Sequence, residues 1–323
     1  MKKIVLLIMA FLVMAYCYFG GFTTGDYVEG VEFKDEIVIP ADKRIIALGE
    51  ATHGNKEFQE LKLSIFKKLV EENGVRAFAI EGDIGGCLEV NEYIHGGSGS
   101  ALEAVKKIGF KIYQTKEMMN LIDYMRDYNM SHTDDIRFYG FDMQRTKYLD
   151  KEYSDEDINL YLKEIKRQNK ELDSSLLRDK YMAQNVEWIL SREDRVFICA
   201  HNEHVAKWGS YDSMGKLLSL KEENGYYVIG TDFYKSKCNL PFMGKRIVRT
   251  FYSHDPLTKS LKMSGKEVGI IDTSKLDVDY IYMGSLGEGF YLIPQSYRIF
   301  QPPKTMYDAM VLFVNVNPTD IIE

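Results

Sequence analysis

Cysteine is scarce in this chain: four residues among 323, and only Cys87, Cys199 and Cys238 lie beyond the apolar N-terminal segment. Three cysteines cannot all pair with one another, and no CxxC spacing marks a metal knuckle, so neither disulfides nor a zinc ribbon organises the fold. Cys199 lies within a strand-like apolar run and reads as a small core residue. Two nucleophile and phosphate signatures are also missing. There is no G-x-S-x-G elbow and no G-x-x-x-x-G-K-S/T loop. Gly82-Asp83-Ile84-Gly85-Gly86 is glycine-rich but lacks dinucleotide spacing, and reads as a tight turn beside a pocket. No basic patch stands out against a net charge of −7, which argues against nucleic acid as the main partner. Histidine is sparse as well, with six in all.

What remains is the composition of a globular protein, 45% hydrophobic and 28% charged. Its length suits one large domain or two smaller ones. The 22 Tyr and 17 Phe are read mainly as core packing. Lys2 and Lys3 precede an apolar run over 4–15 that extends toward Phe22. A positive start followed by an apolar stretch is an export signal, either removed or retained as a membrane anchor. The expected organisation is therefore a leader over 1–25 and one domain over 26–323. The leader places the protein outside the cytoplasm, with membrane contact through that segment.

Along the mature chain, short apolar runs alternate with amphipathic helices. The run ending at Leu48-Gly49 is followed by Phe58, Leu61, Ile65 and Leu69 at helical spacing, then by a second run over 75–80. Strand, helix, strand implies parallel pairing with a right-handed crossover. Helices are expected over 85–94, 101–108, 115–128, 155–192 (broken near Asp173-Ser174-Ser175) and 214–222, with strands over 136–141, 195–200 and 226–230. Short strands at 280–282 and 310–313 follow a stretch of weaker periodicity. The expected class is α/β, a three-layer α/β/α arrangement with a mostly parallel central sheet and helical insertions over the C-terminal strand ends.

Several of these strands end in ionisable groups: Glu50 with His53, Glu81 with Asp83, Asp142, and His201 with His204. Three of the six histidines thus follow apolar strands directly, whereas His95, His132 and His254 fall in loops or on polar surfaces. Parallel strands deliver their carboxyl ends to one rim, where ligands of open α/β sheets collect. Two chemistries fit. In one, His53 is a general base held by a carboxylate and takes a proton from water attacking a carbonyl, with His201, His204 or Lys62 on the oxyanion side. In the other, His53, His201, His204 and a carboxylate hold a divalent metal that activates the water.

Together the motifs resemble the erythromycin esterase family. The carriers are Gly49-Glu50-Ala51-Thr52-His53-Gly54, Ile80-Glu81-Gly82-Asp83, the 115–129 helix with Lys116-Glu117, Phe138-Tyr139-Gly140-Phe141-Asp142 and Ala200-His201-Asn202-Glu203-His204, in order. The resemblance implies metal-independent, cofactor-free hydrolysis of an ester by His-activated water. It puts His53 on the family's base, Glu50 on the nearby carboxylate, Glu81 on a second acidic residue, and His201 and His204 on two later histidines. Lys62, Asp83, Glu117 and Asn202 are the expected substrate-binding residues. Lys62 stands where macrolide-hydrolysing members carry an arginine, and the stretch between His53 and His201 is short beside theirs. The expected substrate is therefore a small-molecule ester or lactone rather than a large macrolide. A metal-dependent hydrolase and a noncatalytic surface binding protein are the competing readings.

Overall fold

A computed structural model describes residues 2–18, 27–243, 245–253, 255–286 and 298–322. His254 lies outside the described residues, as does the apolar stretch from Phe19 to Phe22. Helix α1 (Lys2–Tyr18) carries the N-terminal apolar run. Among the described residues no helix is long and apolar enough to cross a membrane. The chain divides into two compact units. The larger comprises Ile39–Gly49, Lys56–Val228 and Thr319–Glu323, and the smaller Met1–Val38, Glu50–Asn55 and Ile229–Pro318.

The larger unit is built of βα alternation. Strand β1 (Ile45–Glu50) contributes all but its last residue, followed by α2 (Lys56–Asn73), β2 (Ala77–Asp83), α3 (Ile84–Ile94), α4 (Ala101–Lys107), α5 (Lys116–Ser131) and β3 (Arg137–Asp142). Helices α6 (Glu156–Glu171) and α7 (Ser175–Leu190), strand β4 (Val196–His201), helices α8 (Asn202–Val205) and α9 (Met214–Glu222), and the start of β5 (Tyr226–Phe242) complete it. Its strands lie in the order β3-β2-β4-β1, with β2 parallel to both β3 and β4. Each of β1, β2 and β4 is buried along its whole length, as strands covered on both faces must be. Phe66 of α2 packs on Phe78 and Phe197, at centroid distances of 5.4 and 6.2 Å, and Phe78 also meets Phe138 at 5.3 Å. The aromatic surplus of the sequence is in this respect core, as expected.

The smaller unit contains the rest of β5, β6 (Lys245–Tyr252), α10 (Pro256–Met263), β7 (Val268–Asp272), β8 (Ile281–Gly284), β9 (Arg298–Gln301), α11 (Pro303–Met306) and β10 (Ala309–Val316). Strand β10 runs parallel to β5 and antiparallel to β7, while β6 pairs antiparallel with β5. The sheet is thus mixed and mostly parallel, and the fold is the three-layer α/β/α class expected from the alternation.

One element differs from the sequence reading. The strand expected over 226–230 continues to Phe242. Thr231 and Asp232 interrupt the apolar run yet are fully buried, because each is used by backbone groups. Thr231 Oγ1 accepts the Ala51 N–H at 2.9 Å, and Asp232 Oδ1 accepts those of Phe233 and Gly284 at 2.8 and 3.1 Å. A buried polar residue with bonding partners leaves a strand intact. Cys87, Cys199 and Cys238 are buried and unbridged.

Truncating a ring at the centre of the aromatic cluster should expose its cost directly. Phe78→Ala is expected to lower stability by about 3–5 kcal/mol, read as a drop in the denaturant midpoint at unchanged slope.

Candidate functional site

In the smaller unit, the turn after β1 carries the first pair of expected site residues. Glu50 is 1% exposed and its Oε1 lies 2.8 Å from Nδ1 of His53. A ring nitrogen facing a buried carboxylate carries the proton, which leaves Nε2 with its lone pair. The turn is fixed from several sides. Buried Asn55 donates from Nδ2 to the carbonyls of Lys237 and Asn317, at 2.8 and 3.0 Å, and its Oδ1 accepts from Ser236 Oγ at 2.8 Å and from Thr52 Oγ1. Asn239 donates its N–H to the Gly54 carbonyl at 3.2 Å. The approach is so close that a Cβ at Gly54 would sit 2.2 Å from the Asn239 oxygen, which is why glycine follows His53. Leu286 closes the turn by donating to the Ala51 carbonyl at 2.8 Å.

In the larger unit, the ends of β2, β3 and β4 assemble a second group. Glu81 Oε2 accepts the His201 backbone N–H at 3.1 Å, so it ties the carboxyl ends of β2 and β4 together. Arg178, from the first turn of α7, donates to Glu81 Oε1 at 2.6 Å and to Asp142 Oδ2 at 2.7 Å. Its Nη1 lies 3.2 Å from His204 Nε2. The other ring nitrogen, Nδ1, lies 2.8 Å from Oδ1 of fully buried Asp179, which also accepts the Met214 N–H at 2.9 Å. Donation by arginine to Nε2 and by Nδ1–H to Asp179 describes one tautomer of a neutral ring. Burial pulls the His204 pKa down, but the Glu81 charge and the Asp179 bond outweigh it, and the net direction is upward. Two carboxylates, Glu81 and Asp179, against one arginine explain this readiness to take a proton.

Glu81, His201 and His204 thus share one hydrogen-bonded group, and Glu50 and His53 form another. The expected binding residues have other neighbours. Lys62 is 1% exposed, donates to Gln59 Oε1 at 2.8 Å and sits 4.9 Å above the Tyr113 ring. Glu117 accepts the Asp320 N–H at 3.1 Å beside the first turn of α5. Asn202 is buried at the start of α8. Asp83 caps α3 by accepting the Gly86 N–H at 2.8 Å, and a register shift in β2 sets it opposite Asp142. His95 and His132 end α3 and α5 at the surface, His132 stacked on Tyr128.

Arg178 and Asp179 were not singled out by the sequence reading, because both fall in a charged stretch that looks like a solvated helix face. One signal was present. Asp179 lines up with Met182, Val186 and Ile189 at helical spacing, at the head of a buried apolar stripe.

Two expectations follow from these carboxylates. Burial, above all, and the neighbouring Asp142 push the Asp83 pKa from 3.8 up to about 6, against the cap bond and Arg145. A carboxyl raised on folding favours the native state when protonated, and that contribution is lost as pH climbs between the unfolded and folded values. Asp83→Asn, which keeps the cap, should therefore be neutral near pH 4 and stabilising by about 1–3 kcal/mol at pH 8, measured by urea unfolding at both pH values. Arg178→Ala should behave oppositely. It strands Glu81 and Asp142 as buried charges and is expected to cost about 3–5 kcal/mol at pH 7. The penalty should shrink in acid, since burial raises the Asp142 pKa in spite of Arg178.

The sequence profile of the family described as Erythromycin esterase matches residues 70–169 and 156–313. The chain is 30% identical over 115 residues to erythromycin esterase type II of Escherichia coli, which covers 35% of this chain and 27% of that protein. It is 31% identical over 106 residues to the putative hydrolase YbfO of Bacillus subtilis (strain 168), covering 32% and 23%. It spans about a quarter of the length of these curated relatives. Among solved structures, a succinoglycan biosynthesis protein superposes with a TM-score of 0.72 at 19% identity, over 87% of this chain and 90% of that one. A mutant of the erythromycin esterase EreC in its open conformation gives 0.66 at 14% identity, over 87% and 93%. The fold is shared with both, and by the extent of the profile match the chain belongs to the erythromycin esterase family.

Proposed function

We propose that the protein is a hydrolase that cleaves a carboxylic ester or lactone of a small molecule, with His53 as general base. The observation that carries the reading is the 2.8 Å contact of buried Glu50 with His53 Nδ1 in a turn locked by Asn55. With Nδ1–H held by the carboxylate, Nε2 takes a proton from water as the water oxygen bonds to the carbonyl carbon. The carbonyl π pair moves to oxygen, giving a tetrahedral oxyanion. Its collapse breaks the bond to the alkoxy oxygen, which leaves with the proton returned from the imidazolium. Glu50 stabilises that cation at both steps. General-base catalysis of this kind contributes about 10²–10⁴-fold, so donors on the oxyanion side must supply more.

His201 and His204 are proposed to serve the same reaction, with Glu81 as the positioning residue that fixes both β4 and Arg178. Membership of the family supports ester hydrolysis, as does the hydrolase character stated for the Escherichia coli and Bacillus subtilis relatives. Lys62, buried against Gln59 and Tyr113, supports a substrate other than a large macrolide, because it offers a point charge rather than a planar fork. The reaction requires no metal in this scheme. The charged start and apolar helix α1 support action outside the cytoplasm.

A panel of acyl esters, lactones and acylated sugars should yield a hydrolysed substrate, with activity surviving dialysis against a chelator. On that substrate His53→Asn should lose about 10²–10⁴ in kcat/KM while the circular dichroism and melting stay unchanged. Glu50→Gln should lose about 10²-fold or more, as when a base is left in the wrong tautomer. Combining His53→Asn with His204→Ala should cost much less than the product of the single losses, since groups serving one step are non-additive. Full activity in His53→Asn, or strict additivity of the pair, would overturn the corresponding assignment.

A further inference from the structure

A cavity of about 490 Å³ opens in the larger unit, between the end of α4 and the segment that follows β3. Its volume lies in the range of small-molecule sites. Asp83 forms part of its lining and is 1% exposed. One oxygen caps α3, and the other, Oδ1, has no hydrogen-bond partner among the described residues. A buried carboxylate oxygen without a donor is costly, and a ligand that brings one relieves the cost.

The rest of the lining has the opposite sign. Lys106, Lys107, Arg145 and Lys147 surround the opening, with Gln144 and Asn169 between them. Lys107 is neutralised by Glu89 at 2.9 Å. Arg145 and Lys147 are not: among the described residues neither forms a salt bridge to a carboxylate, and each lies over a ring, Arg145 4.8 Å from Phe110 and Lys147 4.9 Å from Tyr148. Gly109 permits the arrangement. Its φ is +94°, and a Cβ there would sit 2.9 Å from Asp83 Cβ and 3.1 Å from Arg145 Cδ. Guanidinium stem and carboxylate pass each other across a bare backbone.

A free cation would satisfy Asp83 but would meet four basic side chains on the way in. A bare anion would satisfy the rim but would face the carboxylate. We infer that this cavity is a binding site for a hydroxyl-bearing anion, a phosphorylated or carboxylated sugar, whose hydroxyl donates to Asp83 Oδ1 while its anionic group pairs with Arg145 and Lys147. The site goes beyond the hydrolytic reading and its occupancy is measurable without turnover.

The test is titration calorimetry on the full chain with glucose 6-phosphate, glucuronate, glucose and inorganic phosphate. One of the two sugar anions should bind at least about 10-fold more tightly than glucose and than inorganic phosphate, since only it engages floor and rim together. Which of the two does so identifies the anionic group. Arg145→Ala combined with Lys147→Ala, both at exposed positions, should weaken that binding at least about 10-fold. Asp83→Asn keeps the helix cap but replaces the acceptor by a donor. It should weaken the sugar anion about 5-fold or more, and leave inorganic phosphate within about 2-fold. Binding of neither sugar anion, inorganic phosphate matching them, or an unaffected Asp83→Asn variant would each overturn the inference.

Discussion

Glu81 and Asp142 end neighbouring parallel strands, and side by side in a buried position they would repel. Arg178 reaches from the first turn of α7 and bonds both, at 2.6 and 2.7 Å. Guanidinium geometry suits this task, because a planar fork can serve two carboxylates at once where an ammonium would serve them as a point charge. Other contacts in the group depend on that bond. Glu81, so held, turns its other oxygen to the His201 N–H, and Arg178 places a donor on the lone-pair side of His204. Such a buried ionic cluster adds little net stability over apolar packing, yet is expensive to break in part. Its value lies in specifying where two histidines stand.

The sequence made the strand ends legible for a simple reason: an apolar run buried on both faces stops abruptly where a polar group begins. Glu50, Glu81, Asp142 and His201 stand at such stops, and they are the last or nearly the last residues of β1, β2, β3 and β4. What was not legible were the residues whose role is set by partners far along the chain. Arg178 and Asp179 sit among lysines and glutamates, and no local spacing separates a guanidinium that faces two acids from one that faces water. Thr231 and Asp232 hid the length of β5 for a related reason. Their polarity signals a strand end, while their hydrogen bonds cancel that signal. Asn55 carries no local signal in the sequence, although its side chain makes four hydrogen bonds in the His53 turn.

Asp83 shows how one carboxyl can serve two ends. One oxygen is spent on the helix that follows β2, which fixes the side chain, and the other is buried with no hydrogen-bond partner among the described residues. The cap supplies the preorganisation that a binding group requires. Burial above all, and then the neighbouring Asp142 placed opposite by the register shift, keep the same carboxyl reluctant to ionise.

The bonds that hold the His53 turn join positions remote in the sequence: Asn55 reaches Lys237 and Asn317, separations of 182 and 262 residues. Contacts of such span form late, after the loop-closure entropy of the intervening chain has been met. During synthesis the Glu50–His53 pair therefore leaves the ribosome early but cannot be fixed by these bonds until the last strand has emerged. A nascent chain stalled before residue 317 would hold every strand of the larger unit and still lack a bond that fixes the His53 turn.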